Sequence, residues 1–255
     1  MMTFELKWRN SGMKENMELF RERDEGLRNS IEQEMDMEAS EYMEYADALE
    51  RDDAAIFISE ASIAEDGRYI PGQVCEVNQE AVEYSPELAE LSEELKTWVK
   101  QGEPMSCAVA SQTMTVNQLE GTFHSEKEMI DIGRQNEWYS DGTYPKDVGK
   151  IAEYMGFDVE RNYNAGTEVL REANCENVKV LVSVDSTLLH YPTCEKECNP
   201  DHVVQVLRVE NTPQGEIVIL NDPGHENGRG AVYPMSVFER AYDGFATTIR
   251  KGELA

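Results

Sequence analysis

The earliest regular pattern in the chain is a stripe of apolar residues at three- and four-residue steps that begins just after Ser30. Ser30 is a favoured helix N-cap, and Gln33, three positions later, completes a capping box. The pattern predicts one amphipathic helix, whose apolar face consists of Ile31, Met35, Ala39, Tyr42, Ala46 and Leu49. Its other face is acidic, which leaves two interpretations open: a solvated surface, or a docking surface for a basic protein partner.

Helical signals return at residues 85–87, where the sequence Ser-Pro-Glu supplies a capping residue, a first-position proline and an early acid. Leu88, Leu91, Leu95 and Trp98 then share one face. The pattern predicts a further helix that begins close to Cys107 and ends near Gly121, and another over residues 145–156. The middle of the chain is therefore expected to be a helical layer.

After these helices the apolar period changes from that of a helix to that of a strand. Val178–Val184 is rich in β-branched residues and bounded by polar ones, so a strand is predicted there. Residues 202–209 and 216–220 predict two more strands, joined through a turn-prone segment at 211–215 as an antiparallel hairpin. Helices followed by a mainly antiparallel sheet indicate the α+β class.

The chain divides by composition near residue 84. Residues 1–84 are predicted to form an acidic helical N-terminal extension, and residues 85–255 a catalytic domain. Within the first region, the short apolar run at 54–58 is left undecided between helix and strand. We expect the apolar stripe of the extension to pack on the domain that follows it.

Charge and hydrophobicity narrow the classes of partner and location. The formal net charge of -28, from 51 acidic against 23 basic residues, argues against nucleic acid and anionic membranes as partners. No apolar run approaches the roughly 20 residues that cross a bilayer, and the N-terminus lacks the features of a signal peptide. The expected location is cytoplasmic, or outside the cell through a dedicated secretion system that needs no cleavable signal.

Cys107 is the candidate nucleophile, since it lies where a proline-containing turn becomes a helix. A cysteine in the first turn of a helix is near unpaired backbone N–H groups and the positive end of the helix dipole, which favour the thiolate. Gln101, six residues upstream, is close enough for its side-chain amide to donate to an oxyanion. The alternative is that Cys107 is a buried apolar residue and Gln101 a surface side chain.

His202 and Asp222 are the candidates for the base and its orienting acid. They lie at the outer ends of two strands predicted to pair antiparallel, so the turn between those strands brings them together. The other three histidines fit this role less well, because His124 follows a helix, His190 lies in a polar connection, and His225 comes after the Asp-Pro-Gly turn.

A rival interpretation is a metal site in the cysteine-bearing connection between the strands. Its candidate ligands are Cys175, His190, Cys194, Cys198 and His202. Only one close cysteine pair is present, whereas a zinc site usually has two, so we expect no metal and no other cofactor. A disulfide or two free thiols in a loop remain open for Cys194 and Cys198.

The ordered set of motifs resembles the papain-like cysteine peptidases related to the bacteriocin-processing, double-glycine-leader peptidases, family C-thirty-nine. The similarity covers about residues 101–250. It rests on Gln101 and Cys107-Ala108, Asp185-Ser186, Asp201-His202-Val203-Val204, Asn221-Asp222-Pro223-Gly224 and the segment 233–242. The resemblance implies a papain-like fold with Cys107 as nucleophile, His202 as base, Asp222 as orienting acid and Gln101 as oxyanion donor.

The expected activity is that of a cysteine peptidase or amide hydrolase that forms an acyl-enzyme with a peptide or protein substrate. A processing enzyme and a delivered effector both fit this activity. An acyltransferase would use the same residues, and a non-catalytic peptide-binding module of the same fold is the third alternative. Unlike the transporter-linked members, this chain has no transporter segments after the peptidase region, and the 187–200 connection is long.

Overall fold

The structure is a computed structural model that describes residues 6–8, 56–83 and 85–252. These residues contain eleven strands: β1 Leu6–Trp8, β2 Ile56–Ile58, β3 Ser62–Ile63, β4 Tyr69–Ile70, β5 Gly72–Val77, β6 Asp158–Asn162, β7 Val178–Val184, β8 His202–Thr212, β9 Gly215–Asn221, β10 Ala231–Pro234 and β11 Tyr242–Arg250. Nine of the strands form one sheet in the order β1-β2-β5-β10-β9-β8-β7-β11-β6, while β3 and β4 pair separately. Every neighbouring pair in the nine-stranded sheet is antiparallel apart from β1 with β2.

Seven α-helices accompany the strands in the described residues: α1 Gln79–Val82, α2 Pro86–Lys96, α3 Cys107–Glu120, α4 Glu126–Gln135, α5 Lys150–Tyr154, α6 Ser186–His190 and α7 Met235–Ala241. Two 3₁₀ helices span Pro145–Asp147 and Thr167–Asn174. The α+β class is confirmed, as is the placement of the helix that begins at Cys107 on a mainly antiparallel sheet. None of the helices in the described part of the chain has the length and apolar character needed to cross a membrane.

Helices cover both faces of the sheet, because successive side chains of its central strands point in opposite directions. In β7, Val180 and Val182 belong to one core cluster with residues of α6 and α7, whereas Leu181 belongs to another with residues of α3, α4 and α5. In β8, Val204 and Val203 divide in the same way. A strand that is buried on both faces loses the apolar–polar alternation, which explains the nearly continuous apolar run of β7.

The predicted start of α2 and both predicted ends of α3 are confirmed, whereas α2 ends at Lys96, before Trp98, which the pattern places on its apolar face. The Ser85 hydroxyl accepts a hydrogen bond from the backbone N–H of Leu88, and Pro86 is the first residue of α2. At the other end of α3, Gly121 adopts φ 70 and its N–H donates to the Asn117 carbonyl. A residue without Cβ adopts this left-handed conformation at little cost, so the helix stops where the sequence indicates.

The single helix predicted over residues 145–156 is wrong, because the segment breaks at Gly149. A 3₁₀ turn ends at Asp147, Gly149 adopts φ 89, and α5 starts only at Lys150. A Cβ on residue 149 would lie 2.6 Å from Cγ1 of Val159 in β6. The chain therefore passes too close to the sheet for a continuous helix.

The predicted N-terminal extension is described only in part, and the helix predicted over 30–49 lies outside the described residues. In the part that is described, the apolar run left undecided by the sequence forms β2, with Ile56 and Ile58 buried against α2. Strands β2 and β5 join the main sheet through β10, which differs from the helical character predicted for this region. The domain boundary near residue 84 stays a prediction.

Candidate active site

Cys107 is the first residue of α3 and lies at the end of a tightly held loop. Its side chain is 8% exposed, so the thiol is close to solvent without being open to it. Ser106, just before it, is fully buried, and Met105 has a φ of 64, a left-handed conformation that is uncommon for a residue with a side chain. The position matches the sequence prediction that the thiol lies at the positive end of a helix dipole.

The loop before Cys107 is held by carboxylate and guanidinium groups that connect it to α4. Glu126, the first residue of α4, accepts from the backbone N–H of Gly102 at 2.8 Å, and its second oxygen lies 2.7 Å from the Ser106 hydroxyl. Arg134, in the last turn of α4, pairs with Glu103 at 2.5 Å. Both ends of α4 therefore fix the segment that presents Cys107.

Sequence analysis did not predict α4, although the sequence carries its signal. Ser125 accepts from the N–H of Glu128, and the Glu128 carboxylate accepts from the N–H of Ser125, which is a complete capping box. Met129 and Ile130 then supply the buried face. The Ser-x-x-Glu pattern before two apolar residues would have identified this helix.

A hydrogen bond between α3 and β8 brings Cys107 to His202. The Ser111 hydroxyl, one turn after Cys107, donates to the Val203 carbonyl at 3.1 Å. Val203 directly follows His202, the first residue of β8. Burial of the Cys107 thiol acts to raise its pKa, and the neighbouring His202 imidazole acts to lower it. The structure thus unites a helix and a strand that are distant in sequence.

Asp222 is completely buried and lies beside His202, as the strand pairing predicts. Its Oδ1 is 2.6 Å from Nε2 of His202 and also accepts from the backbone N–H of Gly224 at 2.7 Å. The backbone of Asp222 is fixed too, because its N–H donates to Gly228 and its carbonyl accepts from the Trp98 indole at 3.0 Å. With Nε2 of His202 on the carboxylate, Nδ1 is the nitrogen left for the thiol.

Gln101 is tied to the same turn through its backbone. Its N–H donates to the Pro223 carbonyl at 2.9 Å, so the residue lies beside the Asp222 turn as well as before Cys107. The side-chain Nε2 donates to the Glu103 carbonyl at 3.2 Å. A primary amide carries two N–H donors, and this bond uses one of them. The structure therefore brings the four predicted residues to one region of the molecule.

The charges of the site favour an ion pair between thiolate and imidazolium. Burial alone would raise the pKa of Cys107, but the hydrogen bond and charge of His202, with backbone hydrogen bonds from Val203 and Ala108, leave that pKa lowered. Burial would lower the pKa of His202, yet the Asp222 carboxylate raises it well above its ordinary value. The Asp222 pKa is itself lowered: burial works against this, and the two neighbouring histidines outweigh burial.

His190 is a site residue that sequence analysis missed. It is the last residue of α6, and its Nε2 lies 3.1 Å from Oδ2 of Asp222, the oxygen opposite to the one that faces His202. The ring of His225 lies 4.9 Å from that of His190. Neither contact has a signal in the sequence, because a one-turn helix shows no period and only tertiary packing brings it to the turn after β9.

His124 and the cysteine-bearing connection make contacts outside the group formed by Cys107, His202 and Asp222. His124 pairs with Glu120 at 2.8 Å at the end of α3. All five cysteines are free thiols, and Cys198 contacts the Ala241 carbonyl at 3.3 Å. Among the described residues, no group of three or more histidine, cysteine or acidic side chains is arranged to hold a metal ion.

Gly224 is expected to be intolerant of any side chain. A Cβ at this position would lie 2.7 Å from Cε1 and 3.0 Å from Nε2 of His202. Because these atoms belong to the imidazole that faces Asp222, Gly224→Ala should displace the ring and slow alkylation of Cys107 by about tenfold or more. Alkylation by iodoacetamide at pH 6.5, followed by mass spectrometry, measures this. Gly215→Ala is a suitable control, since it tests a left-handed glycine with open space around it; equal rates in the two variants would contradict the expectation.

Comparisons with known proteins give matches among solved structures alone: no protein-family model matches the chain, and no curated protein matches it. One match is a double glycine motif protease from an AMS/PCAT transporter in complex with the leader peptide, at 16% identity over 61% of this chain and 91% of that chain, with a TM-score of 0.44.

Two further matches are peptidase domains of transporters. The peptidase domain of Streptococcus ComA, a bi-functional ABC transporter involved in a quorum sensing pathway, is 17% identical over 61% of this chain and 98% of that chain, with a TM-score of 0.45. The peptidase domain of Streptococcus mutans ComA is 17% identical over 60% of this chain and 98% of that chain, with a TM-score of 0.38.

Proposed function

We propose that the protein is a cysteine peptidase or amide hydrolase that works through Cys107, His202 and Asp222. The observation that supports this most strongly is the position of His202, whose Nε2 lies 2.6 Å from Oδ1 of the Asp222 carboxylate and whose imidazole acts to lower the pKa of the neighbouring Cys107 thiol. A thiol that loses its proton to an oriented imidazole is an activated nucleophile. The substrate class is a peptide or protein.

The proposed reaction begins with attack of the Cys107 sulfur on the carbonyl carbon of the scissile amide. The carbonyl π electrons move to oxygen, and the oxyanion accepts hydrogen bonds at the start of α3, with the free N–H of the Gln101 amide as a second donor. His202 gives its proton to the leaving amine as the C–N bond breaks, which leaves an acyl-enzyme. Water then attacks the acyl-enzyme, His202 takes the water proton, and the thiolate departs.

Asp222 has an electrostatic and orienting role in this scheme. Asp222 is fully buried, its carboxylate accepts from the Gly224 N–H, and its backbone is bonded to the Gly228 carbonyl and the Trp98 indole, so the residue is held in place before any substrate binds. A fixed negative charge stabilises the imidazolium without reorganising during the reaction. This arrangement accounts for the raised pKa of His202.

The pH dependence of Cys107 alkylation tests the proposal. Since the pKa of the Cys107 thiol is lowered, Cys107 should react with iodoacetamide at pH values below the pKa of roughly 8.5 of an ordinary thiol. The alkylation rate should fall only at acid pH, where the thiolate is protonated. Turnover should fall again at alkaline pH, where His202 loses its proton above the ordinary value of about 6.5. Peptide mapping by mass spectrometry gives the rate at each cysteine.

Cys198 is the internal reference for this experiment. Burial, followed by the charges of Asp185 and Asp243, raises its pKa, so it should react slowly at the pH values where Cys107 reacts fast. If Cys107 were alkylated no faster than Cys198 at pH 6.5, the catalytic assignment would be wrong, and a peptide-binding module would be the better description.

A further inference from the structure

Asp222 carries an imidazole on each of its two oxygens, and the proposed reaction uses just one of them. His202 lies 2.6 Å from Oδ1 and His190 lies 3.1 Å from Oδ2. The carboxylate is 0% exposed, so no solvent competes for either oxygen. A carboxylate accepts and cannot donate when ionised, hence both imidazoles must present an N–H to it.

We propose that His190 is a positioning residue: it holds the Asp222 carboxylate in the rotation that directs Oδ1 at His202. This inference rests on the proposed function of Cys107 and His202, and it adds a fourth side chain to that site. An Asp side chain rotates about its terminal torsion with broad preferences, so a bond to one oxygen alone leaves the second oxygen free to swing. A donor on Oδ2 restricts that rotation.

The environment of His190 keeps the ring in place for this role. Helix α6 begins with Asp185 as N-cap, whose side chain accepts from the Leu188 N–H at 3.0 Å, and Leu188 and Leu189 are buried in the core beneath the sheet. The His190 side chain is 15% exposed, and its ring lies against that of His225. A helix anchored at its first residue and through its apolar side chains thus presents one imidazole to the carboxylate.

The ring of His225 packs against His190 and does not compete with it for a hydrogen bond to Asp222. Its Nδ1 accepts from the backbone N–H of Asn227 at 3.0 Å. Burial, followed by the charge of His190, lowers the pKa of His225 and so favours the neutral form of this second ring. Titratable groups of the surrounding elements are Tyr69 of β4, Asp185 before α6, Asp222, His225 and Glu226 of the turn after β9, Tyr233 of β10 and Arg240 of α7.

The two bonds to Asp222 differ in what they do for the reaction. The His202 bond transmits the carboxylate charge to the imidazole that exchanges a proton with Cys107. The His190 bond reaches no reacting atom, and its effect passes through the orientation of Asp222. Loss of His190 should therefore weaken the stabilisation of the His202 imidazolium, which raises the pKa of the thiol and lowers that of His202, so the pH range of the ion pair becomes narrower from both sides.

The test compares His190→Ala and His190→Gln with the wild-type chain, using the iodoacetamide alkylation rate of Cys107 against pH. His190→Ala should shift the acid limb of the alkylation profile to higher pH by roughly one unit, so alkylation at pH values below the pKa of the thiol should slow by about tenfold. His190→Gln retains an N–H donor of similar reach and should recover most of the rate. His124→Ala, which removes a histidine paired with Glu120 away from the site, should keep the wild-type profile.

The outcomes separate this inference from the function on which it rests. Wild-type Cys107 that shows no selective alkylation would overturn the proposed function. Selective wild-type alkylation with an unchanged rate and pH profile in His190→Ala would overturn the role of His190 alone. If His190→Ala does not fold, His190→Gln and His190→Leu decide, and equal rates in these two folded variants would show that the N–H donor is not what matters.

Discussion

Replacing either Cys107 or His202 by alanine should abolish peptide hydrolysis, whereas substitutions at Asp222 and Gln101 should leave a measurable fraction of the activity. The difference follows from the geometry. In the proposed reaction the sulfur forms the covalent bond and the imidazole carries the proton, so no other side chain described at the site can replace either one. Release of fluorophore from a library of peptidyl aminomethylcoumarin substrates measures the activity.

Substitution of Asp222 or Gln101 should reduce the activity less than substitution of Cys107 or His202. Asp222→Asn keeps the shape of the side chain and an acceptor for the Gly224 N–H but removes the charge beside His202, and a loss of up to about 10⁴-fold is expected. Gln101→Ala removes one candidate oxyanion donor, for which about 10²- to 10³-fold is typical. Together these losses would establish the order of importance within the site.

Matched controls exist for both essential positions. Cys175→Ala changes an exposed free thiol, and His124→Ala changes a histidine at the far end of α3; both should retain full activity. Activity that survives in Cys107→Ala would end the hypothesis of a cysteine hydrolase. Complete loss in all four site variants, with the fold preserved, would mean that the four roles are divided differently.

The second large effect concerns stability and arises from a buried ionic cluster behind the site. Glu94 of α2 is 1% exposed and contacts two cations, Lys179 Nζ at 2.8 Å and Arg208 Nη1 at 3.1 Å. Lys179 lies in β7 and Arg208 in β8, and both are buried. The cluster therefore joins helix α2 to the two central strands.

Glu94→Ala should destabilise the protein by about 3–5 kcal/mol, because it leaves two buried cations with less compensation. Burial raises the pKa of Glu94 although Arg208 and Lys179 act in the opposite direction, so desolvation of the carboxylate outweighs the attraction. Intact, the cluster thus contributes little net stability. Its importance becomes visible only when one partner is removed.

Urea unfolding followed by tryptophan fluorescence measures this change in the free energy of unfolding. Glu93→Ala is the matched control, since Glu93 is the preceding residue of the same helix, is exposed, and pairs with Lys96 at the surface. Exposed pairs of this kind contribute about 0–1 kcal/mol. A Glu94→Ala effect no larger than the Glu93→Ala effect would refute the assignment of the cluster as a buried ionic core.

The sequence was informative wherever structure is decided locally. Caps and turn residues specified the start of α2 and both ends of α3, and β-branched runs specified β7, β8 and β9. Pairing of β8 with β9 then placed His202 near Asp222, because an antiparallel hairpin returns its outer ends to one place. The relation between these two residues could thus be derived before the structure was known.

Other parts of the site depend on contacts that no local pattern encodes. The polar connection around His190 predicts no role for this residue in the site, yet α6 places it on Asp222. The break at Gly149 follows from the approach of β6, and the strand at Ile56 follows from pairing with β5. Each of these three features depends on a contact with a residue that is remote in sequence, and a local sequence pattern carries no information about such a contact.

The order of the site residues along the chain has a consequence for synthesis. Cys107 comes from the ribosome well before β8 and β9, which carry His202 and Asp222, and α3 can dock on β8 only when that strand exists. Until then the sulfur lacks the imidazole that the proposed mechanism requires. Under that mechanism, Cys107 becomes an activated nucleophile only once β8 and β9 have joined the sheet.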